Sequence, residues 1–145
     1  VLDRSIAAGH FIVPTAAYRD EGTSYHYAPA SDYIDIPTAA ELSAAFDAIS
    51  MPHVQGKTWT TDAIYRETRD GLAKRRAEGC ITVEMECASL MAVGQFRKKA
   101  VYQFLYAEDC LDSVEWDPRI MGKQPATAYE GYLDVALECA IRVKG

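Results

Sequence analysis

The sequence predicts an α/β domain with helices on both faces of a β-sheet. Three observations carry that expectation. Strand-like runs at 9–18, 53–61, 80–83 and 100–107 alternate with helix-patterned stretches, the order that builds a sheet with covered faces. The run 100–107 is apolar on both faces, as a central strand beneath helices should be. A chain of 145 residues suits one domain, large enough to bury roughly two-thirds of its unfolded surface.

The elements follow in order. Residues 9–18 read Gly-His-Phe-Ile-Val-Pro-Thr-Ala-Ala-Tyr, a strand in which Pro14 marks an edge, a bulge or a strand end. Residues 19–37 are polar and aromatic, with Gly22, Pro29 and Pro37. They read as a long loop, and loops of that length tend to be functional or mobile. Thr38-Ala39-Ala40-Glu41 is a capping-box pattern that opens a helix to about Ile49, which Met51-Pro52 ends.

Residues 53–61 alternate as a strand does. A basic helix is expected from about Tyr65 to Glu78, stopped by Gly79. A short strand at 80–83 gives way to a helix from about Glu84 to Phe96, and the strand 100–107 follows. A loop with Trp116, Pro118 and Gly122 leads to a second capping box, Thr127-Ala128-Tyr129-Glu130. The last helix runs to about Val143, with Leu133, Ala136, Leu137, Ala140 and Ile141 on one stripe.

A net charge of −6 argues against a nucleic-acid groove, since polyanion binding leaves a basic footprint. No apolar stretch approaches a membrane span and no signal peptide is visible, which points to a cytoplasmic protein without a membrane partner. Cys80, Cys87, Cys110 and Cys139 form neither a CxxC pair nor a histidine-linked metal pattern. They read as reduced, buried thiols. His10, His26 and His53 are far apart; His10 and His53 read as packing or surface residues, and no structural metal is implied. Neither a GxGxxG turn nor a GxxxxGK[ST] loop is present, so Rossmann cofactors and P-loop nucleotides have no support.

The most informative segment is 83–90, Val-Glu-Met-Glu-Cys-Ala-Ser-Leu. Two carboxylates flank a methionine where a β-branched run turns into a helix. Acidic residues there complement the helix dipole; a pair around a soft apolar residue also suits a vicinal diol, with the methionine against the ring. Asp109 follows an apolar strand, and the carboxyl ends of strands are where open α/β sheets place ligand chemistry.

Val-Glu-Met-Glu-x-Ala resembles the ribose-binding motif of the nucleoside phosphorylase family, which cleaves N-glycosidic bonds. Two further segments match in order: Gly56-Lys57-Thr58-Trp59-Thr60-Thr61-Asp62 upstream and Tyr106-Ala107-Glu108-Asp109-Cys110-Leu111 downstream. The resemblance runs from about residue 5 to the C-terminus. It implies a three-layer αβα fold of the phosphorylase/hydrolase type, with a central mixed β-sheet flanked by helices. The family's glycine-rich phosphate loop, phosphate-binding arginines and first strands lie in an N-terminal part without a match here. Residues 1–145, which start at Val1, are therefore expected to be the C-terminal portion of the family domain, a fragment rather than a short form.

By this resemblance Glu86 binds the ribose 2′- and 3′-hydroxyls, and Met85 lies against sugar and base. Glu84 either touches the ligand or supports the motif. Asp109 is the general acid that gives a proton to a purine ring nitrogen. Trp59 falls where the family has a stacking aromatic, with burial between helix and sheet an equal alternative. Asp62 organises a loop, and Arg119 or Lys123 is available as a basic helper. Uridine phosphorylases read uracil with a glutamine and an arginine after the tyrosine aligned with Tyr65. Tyr65-Arg66-Glu67-Thr68-Arg69 has arginines but no glutamine, which speaks against uracil, and Asp109 favours purines.

The expected activity is phosphorolysis to free base and ribose 1-phosphate, with phosphate as co-substrate and no cofactor. Phosphate-independent hydrolysis, as in the family's nucleosidases, and nucleoside binding without turnover are the alternatives. The resemblance also implies a homo-oligomer, a dimer or hexamer. The aromatic loop near Tyr25, Tyr27 and Tyr33 serves either as a subunit contact or as a lid.

Overall fold

Pro14 lies fully buried inside strand β1 (Phe11–Asp20). The parallel ladder between β1 and β3 (His53–Thr61) shifts register between Pro14 and Ala17. Of the three readings of Pro14, the bulge is the one found: a residue without an N–H sits where ladder pairing is interrupted. A computed structural model describes residues 1–143 of the chain.

β1 and β3 continue into β4 (Cys80–Glu84), parallel to β3. Two short antiparallel strands share the other edge of β1: β2 (Tyr33–Asp35) at its C-terminal end and β5 (Leu105–Tyr106) at its N-terminal end. The sheet is therefore mixed, in the order β2-β1-β3-β4 with β5 beside β1.

Helices α1 (Ala39–Ala48), α3 (Cys87–Arg97) and α4 (Ala126–Ala140) cover one face. Their Leu42, Phe46, Met91, Val135 and Cys139 form one core with Phe11, Val13 and Ala17 of β1. Helix α2 (Arg69–Ala77) and the N-terminal segment cover the other face, where Leu72 and Leu2 pack with Trp59 and Cys80. No helix among the described residues is long and apolar enough to cross a membrane.

Several boundaries differ from expectation, each for a visible reason. Residues 19–37 are not a continuous loop, because a 3-10 turn (Thr23–His26) and β2 lie within them. Arg19 holds the segment together: it is buried and donates to Ser24 Oγ (2.8 Å) and to the Pro29 carbonyl (2.6 Å). The run 100–107 is not a central strand: only Leu105 and Tyr106 pair, with Ile12 and Phe11 at the start of β1, on the edge that β2 occupies from Ala16 to Tyr18. Its apolar residues Val101, Tyr102 and Phe104 pack instead against the helical core.

Neither capping box forms. Thr38 Oγ1 donates to the Val101 carbonyl (2.6 Å), and Thr127 lies inside a helix that begins after Pro125. The basic helix starts at Arg69, where the Thr68 side chain accepts from Gly71 N. Gly79, at φ +92°, stops it as expected.

In α4 the stripe is displaced. Tyr132, Val135 and Cys139 face the core, while Leu133, Leu137 and Ile141 are exposed. Tyr132 sets the rotation by packing on Phe11 and stacking on Tyr106. All four cysteines are free and buried. His53 packs against the Phe46 ring and hydrogen-bonds Ser43 Oγ, as a packing histidine should.

Candidate active site

The site begins where β4 ends. Glu84 is the last residue of that strand, not the first of a helix. Its carboxylate takes four hydrogen bonds: Oε1 accepts Thr58 Oγ1 (3.2 Å) and Thr60 Oγ1 (2.5 Å), and Oε2 accepts the N–H groups of Glu86 (2.7 Å) and Cys87 (2.6 Å). Thr60 Oγ1 in turn accepts Ala88 N (3.0 Å). The unsatisfied N–H groups at the start of α3 are thus met from β3 and β4. Burial pushes the Glu84 carboxyl above its ordinary value, against the hydrogen bonds that pull it down.

Because Glu84 caps the helix, Glu86 does not. Glu86 is the N-cap residue by position but makes no side-chain cap bond, and it is exposed. Met85 beside it is 45% exposed. Both line a cleft of about 380 Å³ whose other wall carries Tyr106, Glu108 and Asp109.

The N-terminal residues join the two walls. Leu2 N donates to the Ile81 carbonyl (2.8 Å), Leu111 N to the Val1 carbonyl (2.9 Å), and Val1 N to the Asp109 carbonyl (2.9 Å). Residues 109–111 are thereby held beside Val1 and Leu2, which in turn bond β4. The Asp109 carboxyl accepts Trp116 Nε1 at 2.8 Å and lies 3.4 Å from the Val1 nitrogen. Asp109 reaches the cleft through this arrangement; the strand before it, β5, runs antiparallel to β1.

Glu84, Met85, Glu86 and Asp109 are brought together. Trp59 is not: it is 4% exposed, packs with Leu2 and Cys80, and donates Nε1 to Asp20 Oδ2 (2.9 Å). Arg119 is turned away from Asp109 as well. Its guanidinium donates to the Ile6 (2.6 Å) and Arg4 (3.2 Å) carbonyls and pairs with Asp117 at 3.6 Å. Lys123 Nζ is on the Arg119 carbonyl (3.2 Å). Asp62 accepts Gly22 N (3.2 Å), tying the end of β3 to the loop after β1. In that loop Tyr25 donates to the Arg19 carbonyl (2.9 Å), Tyr27 meets the Phe96 ring edge-on, and Tyr33 belongs to β2.

Ile64 and Glu67 are among the cleft residues that sequence reasoning missed. Ile64, in a 3-10 turn (Ile64–Arg66), is 50% exposed and lines the cleft. Glu67 follows that turn and lines it too. Burial, and then the charge of Asp109, push the Glu67 carboxyl above its ordinary value. The signal was an acid in the segment scanned for a uracil-reading glutamine. Burial and the Glu108 charge push the Tyr106 phenol up to about 12, so it is a neutral hydroxyl at neutral pH. Among the described residues no group of three or more His, Cys, Asp or Glu is placed to hold a metal ion.

The sequence profile of the phosphorylase superfamily matches residues 1–127. The chain belongs to that superfamily. Phosphorylase-superfamily structures share its fold. AMP nucleosidase from Bacteroides thetaiotaomicron superposes with a TM-score of 0.67 at 24% identity, over 94% of this chain and 54% of that one. The Plasmodium knowlesi homologue of P. falciparum PNP gives 0.71 at 19% identity, over 96% and 57%. Toxoplasma gondii purine nucleoside phosphorylase, in complex with immucillin-H, gives 0.71 at 18%, over 94% and 56%. An uncharacterized protein of Acanthamoeba polyphaga mimivirus is 25% identical over 114 residues, 77% of this chain and 43% of that protein. The chain spans about half the length of each of these relatives. The mixed sheet with flanking helices is thus the superfamily's fold, as the motif at 83–90 implied.

Proposed function

We propose that the protein cleaves the N-glycosidic bond of a nucleoside, using phosphate to give free base and ribose 1-phosphate, with purine preferred to uracil. The observation that carries this reading is the division of labour at 84–86. Glu84 is fully occupied in capping α3, so Met85 and Glu86 are turned into the cleft that also holds Asp109.

In this reading an ionised Glu86 accepts hydrogen bonds from the two ribose hydroxyls, and such charge-assisted bonds are the strong ones. Met85 and Ile64 supply apolar surface for the sugar and base; Trp59, being buried, does not. As a phosphate oxygen bonds to the anomeric carbon, the electrons of the glycosidic bond pass to the base. Asp109 gives a proton to a ring nitrogen and neutralises that charge. Phosphate is a co-substrate and no cofactor is required.

The test is base release by two isosteric variants. Glu86→Gln should raise KM for the nucleoside, and Asp109→Asn should lower kcat by about a hundredfold, within the ordinary range for a general acid. Unchanged kinetics in both variants would refute the assignment.

A further inference from the structure

Asp109 and Trp116 flank the closure of one short loop. Cys110 N donates to the Asp117 carbonyl (2.8 Å) and Asp117 N to the Cys110 carbonyl (3.1 Å), an isolated antiparallel bridge. Asp109 lies just outside that bridge and Trp116 just inside it, and the indole Nε1 donates to Asp109 Oδ2 (2.8 Å). The loop between them is pinned from α2: Arg76 pairs with Asp112 (2.5 Å), and Arg69 donates to the Val114 carbonyl (3.0 Å). Within the loop Ser113 Oγ donates to the Glu115 carbonyl. The indole is 58% exposed, so burial does not decide its place. An exposed N–H has water for a partner, and this one is instead aimed at a carboxylate of the cleft. The basic residues that follow, Arg119 and Lys123, bond backbone carbonyls away from Asp109.

We propose that Trp116 is a positioning residue for the general acid: its indole N–H fixes the Asp109 carboxyl and stabilises the carboxylate left when the proton has gone to the base. The inference rests on the nucleoside-cleaving reading for its chemistry. In that step a phosphate oxygen bonds to the anomeric carbon and the electron pair of the glycosidic C–N bond passes to the base. A ring nitrogen takes the proton of Asp109, which changes from a neutral acid to an anion. A hydrogen bond to an anion is roughly twice as strong as one to a neutral acceptor. The indole N–H therefore helps the transition state more than the substrate complex, and only that difference speeds the reaction. With Oδ2 held by the indole, Oδ1 is the oxygen that carries the proton. Its contact with the Val1 nitrogen, at 3.4 Å, is longer than the roughly 2.7–3.2 Å of an N–H···O bond.

The test is Trp116→Phe, which keeps a ring at the surface and deletes the N–H. Full-length wild type and variant are compared on inosine and on 7-methylinosine. In the second nucleoside a ring nitrogen already carries a methyl group and a positive charge, so its base leaves without a proton. The proposal predicts that kcat for inosine falls about tenfold in the variant while KM stays within about twofold. For 7-methylinosine kcat should stay within about threefold, because no proton is given up. Equal losses on the two nucleosides, or none on either, would overturn the proposal while leaving the nucleoside-cleaving reading intact. No cleavage of either by wild type would sink that reading, and the role of Trp116 with it. The bond itself is read without turnover, from the indole ¹⁵N–H resonance that Trp116→Phe removes. That resonance should move upfield in Asp109→Ala while the Trp59 resonance stays in place; an unmoved Trp116 resonance would overturn the proposal.

Discussion

The carboxylate of Glu84 accepts the backbone N–H of Glu86 at 2.7 Å. One glutamate thereby shapes the turn that presents the other. The sequence alone left open whether these two acids cap a helix or bind a ligand; Glu84 caps it, and Glu86 faces the cleft.

Glu84→Ala removes that frame. Thr58, Thr60 and the N–H groups of Glu86 and Cys87 all lose an acceptor, and part of that set is buried. The variant should lose about 3 kcal/mol of unfolding free energy, in line with the loss of bonds to a charged, half-buried partner. Urea denaturation monitored by circular dichroism measures it.

Glu86→Gln should behave in the opposite way. The residue is exposed and caps nothing, so stability should change by no more than about 0.5 kcal/mol. Nucleoside affinity should fall about tenfold, the cost of exchanging charge-assisted bonds for neutral ones. Isothermal titration with inosine and adenosine gives that number.

Trp59→Phe separates core from site. It deletes the bond to Asp20 and part of a buried ring, which should cost about 2 kcal/mol of stability. Nucleoside affinity should remain within about twofold, because the indole does not line the cleft. Thermal melts and the same titrations test both halves.

The loop after β1 predicts a pH dependence. Burial pushes Glu21 up, but hydrogen bonds from Ser24, Ser89 and Thr23 outweigh it and leave its carboxyl below the ordinary value of 4.5. An acid whose folded pKa is depressed stabilises the fold above its unfolded pKa and ceases to do so as pH falls through the folded one. Wild type should therefore exceed Glu21→Gln in stability near neutral pH, and the difference should close below about pH 4. Denaturation across that range checks the sign.

Parallel strands and helices were legible wherever pattern alone decides them. The alternation at 53–61 gave β3, and Gly79 marked the end of α2. What local pattern could not show was competition for an edge. Leu105 and Tyr106 pair with Ile12 and Phe11 on an edge of β1 that β2 also uses, at Ala16–Tyr18. The face of α4 was ambiguous because Tyr132 and Leu133 are both large and apolar, and only contact with Phe11 and Tyr106 chooses between them. At the site, the motif brought out Glu84, Met85, Glu86 and Asp109. It had nothing to say about Glu67, which reaches the cleft through the 3-10 turn Ile64–Arg66 before it.

The most direct measurement is base release from inosine, adenosine and uridine, with and without phosphate. The account predicts release that requires phosphate, yields ribose 1-phosphate and is faster with a purine nucleoside than with uridine. Release that proceeds equally well without phosphate, or none from any of the three, would contradict it.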